Sequence, residues 1–337
     1  MKAVTTTGSE RPTPDSFSIS ELETPHPGPG ELQVRIEAVS VNPVDTKVRA
    51  GHLKPIDSPI TLGWDACGQV SAVGPDVQGF KNGDRVYYAG DVTRPGCNSE
   101  YQCIDHRLVA GAPDSLEPEE AAALPLTALT AWEGLFDKLR LDEGSQAHQG
   151  ERLLIINGAG GVGSIAIQLA RALTGIEVIA TASRDMSRQW CESLGAHHVV
   201  NHHDLVNDLA SQGIDQVDYI FCCHDLNAHW NNMAHLIAPF GGIVAIVETG
   251  DAPNITDLQS KSVSLHWEFM FTRSMYAFRP ERQGQTLARL AGLVDAGSVR
   301  TTLNEIMGPL TPDNLAQTHQ RLDDGHAIGK LVLTAIP

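Results

Sequence analysis

Residues 152–163 read RLLIINGAGGVG, an unbroken apolar run that passes directly into a glycine-rich turn. The apolar residues 153–156 are typical of a central parallel strand that is buried on both faces. Gly158, Gly160 and Gly163 fit the spacing G-x-G-x-x-G, which permits a tight turn, close approach of a pyrophosphate, and contact between strand and helix. An apolar helix pattern follows at 165–173, and its N-terminus offers unpaired N–H groups to phosphates. The stretch therefore predicts a dinucleotide-binding βαβ unit.

The residues after the next predicted strand, 176–182, indicate which nicotinamide is used. About 20 residues beyond the glycines, an NAD enzyme usually carries an acidic residue that binds the ribose 2′-hydroxyl. This chain has Ser183 and Arg184 there, with Arg188 one helical turn further on. A hydroxyl and a guanidinium suit a 2′-phosphate. We predict NADPH as the cofactor, with two alternatives: a solvated arginine that begins a helix, and NAD bound through Asp185.

The composition restricts the classes of partner. The chain of 337 residues carries a formal net charge of −17 and has no long basic run, so its field repels nucleic acids and anionic membranes. No apolar stretch approaches the roughly 20 residues that span a bilayer, and the N-terminus has no signal-peptide pattern. Six scattered cysteines are too few for a disulfide framework. We therefore expect a soluble cytoplasmic protein with a small-molecule substrate and without nucleic-acid or membrane partners.

The pattern of predicted secondary structure changes near residue 125. Before it, short strand-like segments such as 32–39 and 68–74 alternate with Gly, Pro and Asp turns, which indicates an all-β, barrel-like module. After it, strands alternate with helix-length patterns, as in βαβ units with a parallel sheet. The regularity weakens near 273, and a strand-like segment lies at 330–334.

These features, in this order and spacing, resemble the medium-chain dehydrogenase/reductase superfamily, in its quinone-oxidoreductase-like and zinc-type alcohol-dehydrogenase-like branches. The resemblance implies an α/β fold with a GroES-like β-barrel catalytic domain at 1–125 and 270–337. A Rossmann domain with a doubly wound parallel sheet would occupy 126–269, and the cofactor would bind in a cleft where the domains meet. Beyond the glycine turn, the motifs that carry the resemblance are VNPVD at 41–45, GWDACG at 63–68, GDRV at 83–86, LTALTAW at 126–132, SLGA at 193–196 and GKLVL at 329–333.

The resemblance also bears on zinc. Relatives with a catalytic zinc place a cysteine at the position of Asn42 and a histidine at that of Trp64. A neutral amide is a poor zinc ligand and indole is none. The candidates for a structural zinc lobe, Cys97, Cys103 and His106, do not match the four closely spaced cysteines of such relatives. We therefore predict no metal site.

Asn42, Asp45 and Trp64 remain as candidate catalytic-site residues. In zinc-free relatives the position of Asn42 lines the cleft beside the nicotinamide, where an amide can donate to a substrate carbonyl. Asp45 is a second cleft residue or, as its chemistry favours, the N-cap of a short helix that ends at Arg49.

Further cofactor contacts follow from the resemblance. Thr127 should touch the nicotinamide side, and Lys330 should either reach the cofactor phosphates or enter a strand as a solvated lysine. The remaining candidates lie in the glycine turn or follow predicted Rossmann strands: Gly161, Val162, Cys223, His224, Val247 and Glu248.

Two other segments suggest sites of a different kind. The histidines at 197, 198, 202 and 203 resemble a metal tract, but a strand end followed by a loop should point their imidazoles in different directions. The segment LHWEFMF at 265–271 either lines a substrate pocket or, as we favour, forms a buried edge strand at the interface of a homodimer.

The resulting hypothesis is hydride transfer from NADPH to a quinone or an α,β-unsaturated carbonyl. Without zinc, nothing obvious lowers the pKa of an alcohol substrate, which disfavours alcohol oxidation. An enone needs a proton at carbon, and Tyr87, Tyr88 and Tyr101 are candidate donors. Two alternatives stay open: a zinc-type alcohol dehydrogenase with atypical ligands, and an NADPH-binding sensor or scaffold with little turnover.

Overall fold

The chain divides into two compact units. The computed structural model describes residues 1–52 and 56–337. Unit 1 comprises Met1–Leu129 and Phe271–Pro337, and unit 2 comprises Thr130–Met270. The expected domain boundaries, at 125 and 270, lie within a few residues of these.

The elements alternate along the chain as follows. The strands are β1 Lys2–Thr6, β2 Ser18–Glu21, β3 Glu31–Ser40, β4 Ile60–Thr61, β5 Ala66–Val73, β6 Arg85–Tyr88, β7 Tyr101–Asp105, β8 Ala110–Gly111, β9 Arg152–Ile156, β10 Glu177–Thr181, β11 His198–Val200, β12 Val217–Cys222, β13 Ile237–Ala245, β14 Ser264–Trp267, β15 Leu303–Pro309 and β16 Lys330–Thr334. The α-helices are α1 Pro43–Arg49, α2 Pro118–Ala122, α3 Pro125–Trp132, α4 Gly161–Leu173, α5 Asp185–Ser193, α6 Leu205–Ser211, α7 Leu226–Leu236, α8 Thr272–Met275, α9 Glu281–Asp295 and α10 Pro312–Asp323. Short 3₁₀ helices lie at Pro14–Ser16, His106–Leu108, His202–Asp204 and Ile255–Lys261, and a π-helix at Glu133–Lys138.

Unit 1 is built mainly from antiparallel strands. Its seven-stranded sheet has the order β15-β16-β3-β5-β6-β8, and β7 also pairs with β3. The predicted strands at 32–39 and 68–74 are β3 and β5, with apolar residues of β3 such as Leu32 and Val34 fully buried. β16 pairs with β3 through Val332 and Ser40, so the two sequence-distant parts of unit 1 share one sheet. A second, three-stranded sheet has the order β2-β1-β4.

Unit 2 is a six-stranded parallel sheet with the order β11-β10-β9-β12-β13-β14. β9 is central, and its residues 153–156 are buried, as the unbroken apolar run predicts. The strand order reverses between β9 and β12, and ligands of such sheets bind at the carboxyl ends of the strands near this reversal. β14 forms an outer edge of the sheet, whereas 268–271 lies beyond the strand.

Two observations bear on the predicted environment of the protein. Within the two described ranges, no helix combines the length and apolar character that crossing a bilayer requires. All six cysteines are free thiols, and five of them are buried.

Candidate functional site

The glycine turn joins β9 to α4 at the carboxyl edge of the sheet in unit 2. Asn157 opens the turn with φ of 63°, a left-handed conformation in which Asn is enriched among non-glycine residues. Its N–H donates to the Thr181 hydroxyl at 2.9 Å, and its side-chain amide donates to the Cys223 carbonyl at 3.4 Å. Asn157 therefore ties the turn to the ends of β10 and β12. Asn157 is not among the predicted site residues, although an Asn at the start of a glycine turn is a recognisable signal.

Each glycine of the motif has a packing reason. A Cβ on Gly158 would lie 2.7 Å from the Ala180 side chain, and one on Gly160 would lie 2.8 Å from the Asn157 amide. A Cβ on Gly163 would lie 2.7 Å from the Gly158 Cα atom. Because these positions carry no side chain, the turn can be tight, and it places Gly161 and Val162 at the start of α4. Helix-initial N–H groups have no intrahelical partner, so this end of α4 fits a pyrophosphate.

The residues predicted to select NADPH follow β10 at the same edge. Ser183 is half-buried, and Arg184 is exposed at the N-cap position of α5. Arg188 lies in α5, and its guanidinium donates to the Val199 carbonyl at 2.9 Å. Hence the Arg188 guanidinium is partly engaged with β11, whereas Ser183 and Arg184 directly follow the carboxyl end of β10.

The other predicted cofactor neighbours divide between the two units. Cys223 is buried and His224 is exposed directly after β12, while Val247 and Glu248 follow β13. These four residues share the carboxyl edge of the sheet with the glycine turn. Thr127 belongs to unit 1, where its buried hydroxyl donates to the Leu124 carbonyl at 3.1 Å.

A buried polar network lies in unit 1 around Asn42. The Asn42 amide nitrogen donates to Asp65 Oδ2 at 2.8 Å, and its amide oxygen accepts from the Lys330 ammonium. Lys330 also pairs with Asp65 at 3.1 Å and donates to the Val41 carbonyl at 3.0 Å. The second oxygen of Asp65 accepts the Leu126 N–H at 2.7 Å. The network therefore joins the start of α1, the approach to β5, the start of α3 and β16.

This network corrects two expectations. Asn42 is 1% exposed and its amide is engaged within unit 1, so in this arrangement it does not offer a donor to a substrate carbonyl. Lys330 is 4% exposed, so the solvated alternative is wrong. Its three N–H donors are all used by Asp65, Asn42 and Val41, which leaves none for a cofactor phosphate.

Asp45 is part of the helix start, but at a different position from the one predicted. The N-cap of α1 is Asn42, and Asp45 is the third helical residue. Its carboxylate accepts the Asn42 N–H at 2.8 Å, which is one half of a capping box, and the Gly63 N–H at 2.8 Å. Asp45 therefore holds α1 to the segment before Asp65. Desolvation raises the pKa of Asp45 to about 7, against the opposing hydrogen bonds from Asn42 and Gly63 and the attraction of Lys330.

Both members of the ion pair in this network, Asp65 and Lys330, are buried. Burial raises the pKa of Asp65 and lowers the pKa of Lys330, because each charge has lost its water. Their mutual attraction opposes both shifts. A buried pair of this kind is costly to break from one side, since the remaining charge has no solvent.

The residues at the expected zinc positions do not fit a zinc ion. The oxygen of Asn42 faces an ammonium, and Asp65 is saturated by three donors. A dication beside Lys330 would be repelled by its positive charge. Trp64 is 3% exposed, and its indole N–H donates to the Asp91 carbonyl at 3.0 Å. Zinc requires thiolate, imidazole or carboxylate ligands, and these groups are amide, indole and an already paired carboxylate.

The proposed tyrosine acids are mostly excluded by burial. Tyr87 is fully buried and donates to the Leu287 carbonyl at 2.6 Å, and Tyr88 donates to Gln102 Oε1 at 2.9 Å. Burial raises the pKa of both hydroxyls. The expectation that Tyr87 or Tyr88 donates a proton to a substrate is therefore wrong, while Tyr101 is half-buried.

The histidine tract separates into two groups, so the prediction of four different directions is wrong for the second pair. A ring nitrogen of His197 lies 2.6 Å from the Arg171 guanidinium, and one of His198 lies 2.9 Å from the Glu177 carboxylate. The pair at 202 and 203 stacks separately, with ring centroids 4.2 Å apart. Among the described residues, no three or more His, Cys, Asp or Glu side chains are arranged to hold a metal ion.

Comparison with known proteins places this geometry in a family. The profile of the alcohol dehydrogenase GroES-like domain matches residues 28–114, and that of the zinc-binding dehydrogenases matches 194–333. A zinc-type alcohol dehydrogenase-like protein of Staphylococcus aureus (strain MSSA476) is 40% identical over 320 residues, 94% of each chain. The 2-methylene-furan-3-one reductase of Solanum lycopersicum is 30% identical over 329 residues, 94% of this chain and 75% of its own. The crystal structure of Escherichia coli quinone oxidoreductase complexed with NADPH has a TM-score of 0.83 at 25% identity, over 100% of both chains.

The GroES-like unit, the parallel Rossmann sheet and these matches define the class. The chain belongs to the medium-chain dehydrogenase/reductase superfamily, which confirms the resemblance and the predicted fold. Within that superfamily it is an oxidoreductase related both to proteins named for alcohol dehydrogenases and to quinone and enone reductases.

Proposed function

We propose that this oxidoreductase transfers hydride from NADPH to a quinone or an α,β-unsaturated carbonyl without zinc. The observation that carries the proposal is the closed network of Asn42, Asp65 and Lys330 at the position where zinc-dependent relatives bind the metal. A Lewis acid that lowers the pKa of an alcohol has no ligands there. Hydride transfer without a Lewis acid suits the reduction of an acceptor that is already electron-poor.

The residues of unit 2 supply the cofactor site. In this proposal Gly158, Gly160 and the N–H groups that begin α4 bind the pyrophosphate, and Ser183 and Arg184 bind the 2′-phosphate. A bound nicotinamide supplies the hydride. The exposed guanidinium after β10, in place of an acidic residue bound to the 2′-hydroxyl, supports NADPH over NADH.

The substrate is best matched by a quinone. Reduction of a quinone produces an oxyanion that is stabilised by its own ring, so water suffices as the proton source. An enone requires a proton at carbon, and the hydroxyls of Tyr87 and Tyr88 are buried and engaged. One relative, named a quinone oxidoreductase and complexed with NADPH, supports the quinone. Another, named for reduction of a 2-methylene-furan-3-one, supports the enone as the second candidate acceptor.

The test is NADPH oxidation across a panel of quinones, enones and alcohol–NADP⁺ pairs, with and without a strong chelator. Untagged protein is used, so that affinity-column metal does not enter the assay. We expect quinone or enone reduction that does not change as zinc is removed, and well under one zinc per chain. Activity that falls in proportion to metal content would refute the zinc-free proposal and favour a zinc-type alcohol dehydrogenase. Tight NADPH binding without turnover on any acceptor would favour a sensor or scaffold.

Cofactor preference is tested separately with Arg184→Ala. Removing a charged hydrogen bond to the 2′-phosphate should weaken NADPH binding by about 1.5–3 kcal/mol, while NADH binding should change little. Equal losses for the two cofactors, or a wild type that prefers NADH, would refute the assignment of Arg184.

We place the protein in the cytoplasm as a homodimer. The six free thiols support a reducing compartment. The outer edge strand β14 supports self-association, because Trp267 at its end is 52% exposed and an uncovered apolar edge promotes unwanted pairing.

A further inference from the structure

Four histidines of unit 2 form one contiguous cluster at the carboxyl edge of the sheet. We call His202, His203, His224 and His229 the histidine cluster. The ring centroids of His202 lie 4.2 Å from His203 and 6.1 Å from His229, and those of His229 and His224 lie 5.6 Å apart. Two members follow β11, one follows β12 and one lies in α7. The cluster therefore spans the carboxyl ends of strands that flank β10 and β9.

The ring nitrogens of the cluster have no hydrogen-bonding partner in the protein, among residues 1–52 and 56–337. Three other histidines of unit 2 use both ring nitrogens, namely His148, His197 and His198. His198, for example, bonds to Gln212 and Glu177, each at 2.9 Å. The ring nitrogens of these four adjacent imidazoles are therefore available to donate hydrogen bonds to a ligand, or accept them from it, at the edge of the sheet where ligands bind.

Backbone and side-chain hydrogen bonds connect the segments that carry the cluster to the segments proposed to bind the cofactor. The N–H of Ala182 donates to the Val200 carbonyl at 2.9 Å, so the residue before Ser183 is held against the end of β11. His202 follows Val200 by two positions. On the other side, the side chain of Asn157 in the glycine turn donates to the residue directly before His224.

The charged side chains on the elements packed against the cluster make hydrogen bonds to their own neighbours. Asp204 accepts from the Asn207 amide at 2.8 Å, and Asp208 of α6 accepts the backbone N–H of residue 201 at 2.7 Å. Asp225 caps α7 through two backbone N–H groups. Arg188 of α5 donates to the end of β11. The acidic groups are thus occupied by local hydrogen bonds.

Burial and the neighbouring rings disfavour protonation of two members, His202 and His229. Burial and the neighbouring imidazoles lower the pKa of His202, and burial with His224 and His202 lowers the pKa of His229 to about 4, while Asp225 opposes that shift. At neutral pH these two rings are therefore uncharged. A dianionic group placed against the cluster would offset the repulsion and favour protonation.

We propose that the histidine cluster is a proton-linked subsite for the 2′-phosphate of the dinucleotide, so that the protein takes up a proton when it binds the phosphorylated cofactor. The inference rests on the proposed use of NADPH and deepens it. The imidazoles supplement Ser183 and Arg184, and they make the preference for the phosphorylated cofactor depend on pH. Because the bound state holds more protons than the free state, binding strengthens as pH falls.

The experiment uses two probes that lack the nicotinamide, 2′-phospho-ADP-ribose and ADP-ribose, in calorimetric titrations of the full chain at pH 6.5, 7.5 and 8.5. Titrations in two buffers of different ionisation enthalpy count the protons taken up. For the wild type we expect the affinity ratio of the two probes to rise as pH falls, towards about tenfold per pH unit for each full proton. The double variant His203→Gln with His224→Gln changes only exposed members and should flatten this dependence. His235→Gln, at the other end of α7, is the matched control and should behave as the wild type.

The outcomes are distinguishable. An equal loss of affinity for both probes in the double variant would overturn the inference, because the cluster would then contact the base or ribose. An unchanged pH dependence would overturn it as well, since the proton would then be taken up by groups outside the cluster. If the wild type binds neither probe, the proposed NADPH function fails and the inference fails with it.

Discussion

Replacing Lys330 with Met should destabilise the protein strongly although it removes only one ammonium. The ammonium donates to Asp65, to Asn42 and to the Val41 carbonyl, and none of these three acceptors has water to replace it. Truncating one partner of a buried ion pair typically costs about 3–5 kcal/mol, because the other charge stays buried and unpaired. We therefore expect Lys330→Met to lose about that amount of unfolding free energy.

The double variant separates the ion pair from simple packing. Asp65→Asn alone should also destabilise, since it leaves the Lys330 ammonium without its counter-charge. Lys330→Met combined with Asp65→Asn removes both charges. The double variant should therefore lose less unfolding free energy than the two single variants together, by about 2 kcal/mol or more. Lys81→Met, at an exposed turn, is the control and should stay within about 0.5 kcal/mol of the wild type.

The assay is urea denaturation at pH 7.5, followed by far-UV circular dichroism. With the steep urea dependence of a chain of this size, the single variants should shift the midpoint down by about 1 M or more. Single losses below about 1 kcal/mol, or a double loss equal to the sum of the two, would refute the inference that Lys330 and Asp65 form a buried, mutually dependent pair.

Three further predictions concern protonation, cofactor binding and assembly. Because the pKa of Asp45 is raised to about 7, the native state retains a proton that the unfolded chain releases, so the contribution of Asp45 to stability should fall as pH rises from about 4 to 7. Asp45→Asn should remove this loss, which is at most about 1.4 kcal/mol of unfolding free energy per pH unit. The measurement is urea denaturation of the wild type and the variant at several pH values, and parallel pH profiles of the two proteins would contradict the prediction. Gly158→Ala should reduce binding of both nicotinamides at least tenfold in fluorescence titrations, because its Cβ would lie 2.7 Å from the Ala180 side chain; unchanged binding would contradict this reason. Light scattering at micromolar concentration should give about twice the chain mass of 36.2 kDa, and a monomer mass would count against the proposed dimer.

The cofactor half of the site was predicted from sequence because its signals are local. An apolar strand, a turn that only glycine permits and a helix start lie within residues 152–173, and each depends on near neighbours along the chain. The division between a β-rich unit and a parallel αβ unit was visible for the same reason, since period and turn chemistry are short-range properties. Ser183 and Arg184 followed from their distance past the glycines.

What only the tertiary structure decided was which polar groups meet. Asn42, Asp65 and Lys330 are far apart in sequence, and their meeting depends on β16 pairing with β3. A lysine that the sequence presents as a surface residue is therefore a buried counter-ion, and an amide that suits substrate binding is already saturated. The histidine cluster arose in the same way, because residues after β11 and β12 meet only when those strands lie in one sheet. Local rules determine which elements form, whereas the pairing of buried charges depends on long-range packing that no single segment encodes.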